Sequence, residues 1–347
     1  MSFLVVSHRH ELIPFAYRLK NQGEKTELVV CTPRFEKAWE GKFDRILPAK
    51  EVSRTNLEPT LELARAGQVT VLSNNHKTSK MFNEVDSFYG TCEVEEYPKP
   101  SSLLRVGGWW EGGELHNPHL LIYDLGAWPG GYGPNVPGGM TLIRVEPSQV
   151  PLLLEAIEPL TTLLQEKYWF QGLLQASLKE SLLGQLEIEG VELGWPFLQS
   201  HAFLSELESF SSLLLKEPVE LPQKVVTVVP VSLHPWPVEF EWNGPDRQPR
   251  LRSPESLPIG GLSSKQISQV FWHDVQLDIE QRTIKTGGLD GLLGIARGAA
   301  HTPHLARKRA MTLALSMTVP EKQVRPDAAG AVSEALAQLE ERLGVVL

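Results

Sequence analysis

Three neighbouring stretches constrain the fold more than any other part of this sequence: SFLVVS at residues 2–7, HELIPFAYRLKNQG at 10–23 and TELVVC at 26–31. The first and third are aliphatic and β-branched over the length of a strand. The middle stretch spaces its apolar residues as a helix does and stops at Gly23. A strand, helix and strand joined this tightly imply parallel pairing, with the helix crossing one face. A second helical pattern, NLEPTLELARAG at 56–67, leads into a third strand, QVTVLS at 68–73. Residues 1–76 therefore read as a Rossmann-like lobe.

Beyond that lobe the texture changes. From about residue 97 to 147, short strands such as LLRVGGWW and HLLIYDL alternate with Gly, Pro and Asn turns. A helix over 149–167, strands at 170–180 and 184–193, and a helix over 198–216 complete a region of α+β character, residues 77–220. After the proline-bounded KEPVELPQK, strands return at 224–233, 269–279 and 291–298. Helices over 303–317 and 328–343 close a third region, 221–347. Three regions suit a chain of 347 residues, which exceeds what one hydrophobic core usually spans.

Charge and cysteine usage narrow the function classes. A formal charge of −9, with no Lys/Arg-rich run, argues against nucleic acid as a direct ligand. Cys31 and Cys92 fit no metal spacing and no disulfide framework, so a reducing, cytoplasmic setting is expected. The apolar run in MSFLVVSHRH is short and has no basic residues before it, unlike a secretory leader. No run of about 18 apolar residues is present to span a membrane.

Within the middle region, GGYGPNVPGGM at 130–140 places five glycines and two prolines in eleven residues. Taken alone it is a turn-forming composition. Several stretches, in the same order, resemble the phosphoribosylamine–glycine ligase family of the ATP-grasp superfamily. GPNVPGGM is similar to that family's GPNTGGMG with one residue added. TGGLDGLLGIARGAAHTPHLARKRAMTLALSMTVPEKQVRPDA, at 286–328, is similar to its closing segment, with a GG turn, a strand, a helix and an Arg-x-Asp. QVFWHDVQLD, NNHKTSKMF and GGWWEGGEL occupy the places of its His-containing strand, its SK helix start and a strand-turn-strand hairpin.

The resemblance implies an α/β and α+β, ATP-grasp-like fold. It has an N-terminal Rossmann-like lobe, a reduced or missing lid subdomain and a C-terminal β-rich lobe. The lid is reduced because fewer than thirty residues separate Lys80 from Trp109, and no GKG-like phosphate loop lies there. By the same resemblance, Gly133, Pro134, Asn135, Gly138, Gly139 and Met140 would shape the substrate side, with Asn135 as the hydrogen-bonding group. ATP and Mg2+ would be the cofactors. Glu187 and Glu189 fall at the family's metal-binding pair, and strict alternation along a strand sets both on one face. They read equally as part of a solvent-facing row with Glu192. In the first turn, SHRHELIP replaces a glycine-rich loop. His8, Arg9 and His10 either meet a phosphate with their side chains or are solvated beside a helix capped by Ser7.

Other candidates carry less. His116 with His119, and His301 with His304, share an i, i+3 spacing, but a proline interrupts each pair and no third ligand is evident. Nine tryptophans, Trp109, Trp110, Trp128, Trp169 and Trp195 among them, could line a pocket or fill a core. The basic ARKRA at 306–310 reads as a solvated helix face. No GxSxG elbow or cysteine signature supports a nucleophile, and no catalytic residue is assigned. Two functions follow. One is an ATP-dependent ligase joining a small-molecule carboxylate to an amine through an acyl phosphate. The other is a degenerate ATP-grasp pseudoenzyme that binds a protein partner or forms a homodimer.

Overall fold

The computed structural model describes the chain apart from residues 8–10, 31–37, 49–53, 75, 84, 92–103, 127–128, 133–136, 167–169, 182–184, 206, 218–224, 238–251, 279–282, 331 and 344–347. The first part contains β1 (Ser2–Ser7), α1 (Ile13–Asn21), β2 (Lys25–Val30), β3 (Arg45–Pro48), α2 (Arg54–Arg65), β4 (Val69–Ser73), α3 (His76–Phe82) and β5 (Phe88–Gly90). Its five strands form one parallel sheet in the order β3-β2-β1-β4-β5. This is the βαβ lobe expected from the sequence, and its sheet continues past residue 76 to Gly90. β1 and β4 are buried along almost their whole length because the parallel sheet is covered on both faces.

The chain then builds β6 (Leu104–Glu111), β7 (Glu114–Leu125), β8 (Pro137–Arg144), α4 (Pro151–Ala156), α5 (Glu158–Glu166), β9 (Gly172–Glu180), β10 (Leu186–Gly194), α6 (Phe197–Ser205) and α7 (Phe210–Leu214). It closes with β11 (Val225–Ser232), β12 (Glu255–Ile259), α8 (Ser264–Ile267), β13 (Val270–Trp272), β14 (Val275–Asp278), β15 (Thr283–Gly287), β16 (Leu292–Ala300), α9 (Pro303–Ser316) and α10 (Val332–Leu343). Eight of these strands form a central antiparallel sheet, β10-β9-β6-β7-β8-β11-β16-β13, and β12-β15-β14 form a third, small one.

Two single helices expected from periodicity are each two helices. The break at Ile157 follows from Pro159, which has no N–H to bond the carbonyl of Glu155. The break before Phe210 is set by Ser209, whose hydroxyl accepts from the Ser212 amide at 3.0 Å and starts α7 afresh. The expected strand 269–279 also divides. Val270–Trp272 joins the central sheet beside β16, while Val275–Asp278 joins the small sheet.

Both faces of the central sheet are packed. On one face, Trp109, Leu121 and Met140 meet the all-buried α6 and the N-terminal lobe. On the other, Val106, Leu120, Ile143 and Ala176 meet α4, α5 and α10. Gly298 lets α9 lie directly on β16, since a Cβ there would sit 2.3 Å from the Ala306 carbonyl oxygen and the Ala310 nitrogen.

Candidate functional site

The base of the glycine-rich loop is built around an arginine from far along the chain. Arg325 is 8% exposed, and its Nε and Nη2 donate to Asp327 Oδ1 and Oδ2 at 2.9 and 3.2 Å. Its Nη1 donates to the Gly126 carbonyl at 2.8 Å, and the Gly130 amide donates to Asp327 Oδ2 at 2.9 Å. A planar guanidinium thus fixes one carboxylate bidentately and the start of the loop at the same time. Asp124, at the end of β7, accepts from the Ala329 amide. Arg307 on α9 completes the brace by donating to the carbonyls of Ala328 and Pro326 at 2.7 and 3.1 Å.

This brace explains two of the glycines. A Cβ at Gly138 would lie 2.6 Å from the Gly126 carbonyl oxygen and 2.7 Å from Arg325 Cδ; one at Gly139 would lie 3.0 Å from Ala328 Cβ. Their lack of a side chain makes room for the chain's own Arg325 segment. Met140 is fully buried and paired with Tyr123 and Val228, so its side chain belongs to the core. Gly133, Pro134 and Asn135 lie outside the described residues, as do His8, Arg9 and His10.

A hollow of about 280 Å³ opens beside the loop, lined by Pro129, Gly138, Ser232, Trp236, Lys322 and Arg325 among others. It exists because β8 and β11 stop pairing at Met140 and Val228. Beyond that point β11 carries Pro230, which has no N–H to give a neighbour and sits where that side of the strand is free. Lys322, on the wall, donates to the carbonyls of Ala314 and Leu315 at 3.1 and 2.9 Å, and burial lowers its pKa.

The two carboxylates of the brace respond to pH with opposite sign. Hydrogen bonds from Arg325 hold Asp327 at about 2, below its usual 3.8. A pKa lowered by folding gives stability that is present above about pH 4 and lost as the pH falls towards 2. Burial raises the pKa of Asp124, so its contribution becomes less favourable as pH rises through its folded value. The stability gap between the wild type and Asp327→Asn, measured as urea midpoints, should therefore shrink as pH falls from about 4 to 2. An equal gap at both ends of that range would disprove the coupling.

At the expected metal pair the strand is irregular. A β-bulge falls between Ile188 and Gly190, and Glu189 is the extra residue, outside the one-to-one register with β9. Glu187 lies opposite Lys179, and Gly190, not Glu189, takes the next position on that face, opposite Ser177. Glu192, whose side chain is 43% exposed, also pairs with the sheet: its Oε1 accepts from Nη1 of the buried Arg105 at 2.8 Å. Among the described residues no group of three or more His, Cys, Asp or Glu could hold a metal ion.

A row of buried polar groups crosses the sheet instead. Arg105 Cζ lies 4.3 Å from the Tyr123 ring centroid, and the Tyr123 hydroxyl donates to Gln175 Oε1 at 2.8 Å. Gln199 on α6 donates to the Leu174 carbonyl and to Nε2 of His119, whose Nδ1 faces the Asn117 carbonyl at 2.9 Å. Burial drives the His119 pKa down to about 4, so it is neutral, with the proton on Nδ1. His119 is thus a core residue on a strand, while His301 and His304 are exposed around the start of α9. Trp109, Trp110 and Trp195 are core residues, and Trp128 and Trp169 lie outside the described residues.

The chain matches no family model and no curated protein sequence. Solved structures do match in shape. Pyruvate carboxylase from Rhizobium etli aligns at 11% identity over 100% of this chain and 37% of its own, with a TM-score of 0.54. Urea carboxylase from Kluyveromyces lactis aligns at 10% identity over 99% of this chain and 32% of its own, also with a TM-score of 0.54. Phosphoribosylamine–glycine ligase from Thermotoga maritima aligns at 17% identity over 94% of this chain and all of its own, with a TM-score of 0.48. The chain spans about a third of the length of the two carboxylases. The fold is a mixed α/β architecture of several sheets, of the ATP-grasp type. No described helix is long and apolar enough to cross a membrane.

Proposed function

We propose that this chain is a protein of the ATP-grasp carboxylate–amine ligase type, akin to phosphoribosylamine–glycine ligase, whose loop at 126–140 holds a small carboxylate or amine. The observation that carries this reading is the Arg325–Asp327 brace, which fixes the loop's base beside an open hollow. A surface turn does not need a half-buried ion pair and two further contacts to its backbone, at Gly126 and Gly130, to set its shape. In this reading Asn135, with the backbone of Gly133 and Gly138, meets the substrate, and His8, Arg9 and His10 meet an anionic group on it. The reaction joins a carboxylate to an amine at the expense of ATP.

A second reading, a non-catalytic relative that binds a ligand or partner at the same loop, is supported by a different observation. Only residues 91–103 separate β5 from β6, where the ligase family carries its lid, and a bulge interrupts β10 at Glu189. The two readings part on nucleotide and turnover. The first expects millimolar ATP with Mg2+ to raise the thermal midpoint, since a ligand of the native state stabilises it. It also expects ADP and phosphate to form only when a carboxylate and an amine are both supplied. No stabilisation and no ADP would sink it and leave the second.

A further inference from the structure

A second cleft, sharing no lining residue with the hollow at the loop, lies where α1, the segment 264–269, β16 and α9 meet. Two hollows, of about 940 and 420 Å³, share Arg18, Ser205, Glu208 and Arg297 in their walls, so they adjoin at those residues. Each is of the size that small-molecule sites occupy.

Its two ends differ in chemistry. The larger end gathers Arg18, Lys265, Arg297, Lys308 and Arg309 against one carboxylate, Glu208. This happens on a chain whose formal charge is −9, so the local field opposes the global one and draws anions to this place. Arg18 donates to the carbonyls of Leu204 and Leu207, and Arg297 Nη1 to that of Ser205 at 2.9 Å. These contacts hold both guanidinium groups along the wall at the C-terminal end of α6. Lys265 and Lys308 are exposed. The smaller end adds half-buried Tyr17, Ile267 and Leu277, backed by the buried Phe271 and Trp272, to polar side chains such as Asn21 and Gln22, so it is the more aromatic of the two.

We infer that this cleft is a nucleotide site, with phosphates at the cationic end and the base against the aromatic end. A purely anionic ligand would leave the aromatic end empty, and an apolar one would leave the cations unmatched. A flat ring joined to two or more phosphates fits both, through stacking and through charge-assisted hydrogen bonds. A nucleic acid strand fits less well, because the cationic surface is confined to one concavity on an acidic chain. The site stands apart from the ligase reading, which concerns the loop.

The test is fluorescence anisotropy of a fluorescent ADP analogue with the full chain, in buffer free of divalent metal. The expected result is saturable binding, displaced by ADP and far less well by adenosine or inorganic tripolyphosphate. Lys265→Glu with Lys308→Glu should weaken it about tenfold or more at unchanged thermal midpoint, because both side chains are exposed and a reversed charge removes two attractions. The ligase reading is tested separately, by ADP and phosphate formed with Mg2+, a carboxylate and an amine, and Lys265→Glu with Lys308→Glu should leave that turnover unchanged, so failure here and failure of the ligase reading are distinguishable. Absence of binding at millimolar analogue, or equal affinity in the double variant, would overturn the inference. So would displacement by tripolyphosphate as effective as by ADP, or tighter binding of a single-stranded oligonucleotide than of ADP.

Discussion

Arg325→Ala is expected to release the glycine-rich loop and to lower stability by about 2 kcal/mol, the scale of hydrogen bonds to a charged group, kept low because Asp327 is 43% exposed. The substitution removes both bonds to Asp327 and the bond to the Gly126 carbonyl. It also empties the space above Gly138 that the arginine side chain fills. Hydrogen exchange of the amides of residues 126–140 should rise well before global unfolding, because local opening no longer costs those contacts. Arg325→Lys should not restore protection, since a single ammonium cannot reach Asp327 bidentately and Gly126 together. Protection equal to wild type in Arg325→Ala would mean that the loop is shaped by something other than this brace. The ligase reading adds that any ligand-induced stabilisation at the loop should disappear in the same variant.

Trp109→Ala is expected to have the largest effect on folding, about 3–5 kcal/mol, as for other buried aromatic truncations. Trp109 is 1% exposed and its ring lies 5.6 Å from that of Tyr89, 6.0 Å from Phe203 and 6.2 Å from Trp195. Those partners come from β5, from α6 and from the turn after β10, so one side chain ties the parallel sheet to the central one. Removing it leaves a cavity at that junction and strips the Nε1 donor, 2.9 Å away, from Glu111 Oε2. Trp109→Phe should keep most of the packing and cost roughly 1 kcal/mol through the lost hydrogen bond. Urea midpoints of the three proteins measure this, and an Ala variant within about 1 kcal/mol of wild type, the scale of a surface change, would refute the junction role.

Much of the fold was legible because its signals are local. Runs such as SFLVVS, VTVLS and VVTVVPVS are buried along almost their whole length and read as strands without knowledge of their partners. The hairpin turn at Gly112 and Gly113 was equally readable, since both adopt positive φ. The short β3 escaped notice because RILP has too few residues to show a period. The helix breaks at Ile157 and before Phe210 had written signals, Pro159 and Ser209, that the apolar pattern overrode.

The site was legible in part only. The loop's composition and the closing RPDA both stand out in the sequence, about 190 residues apart. That the second braces the first needed the tertiary structure, because a guanidinium donating to a distant carbonyl and a carboxylate accepting from a distant turn amide leave no periodic mark in either stretch. Asp124 and Arg307 were missed for the same reason: each acts on a backbone group of residues 326–329, and backbone groups are identical in every sequence.

Alternation predicted Glu187 and Glu189 on one face; only the structure reveals a bulge at Glu189, where an extra residue shifts the pairing of everything after it. What the sequence by itself determined is the set of strands and helices, since burial periodicity is written into neighbouring side chains. Which charges meet, which glycines serve packing and where the clefts open were decided only by the tertiary structure, because those outcomes depend on distances between residues that the chain order does not encode.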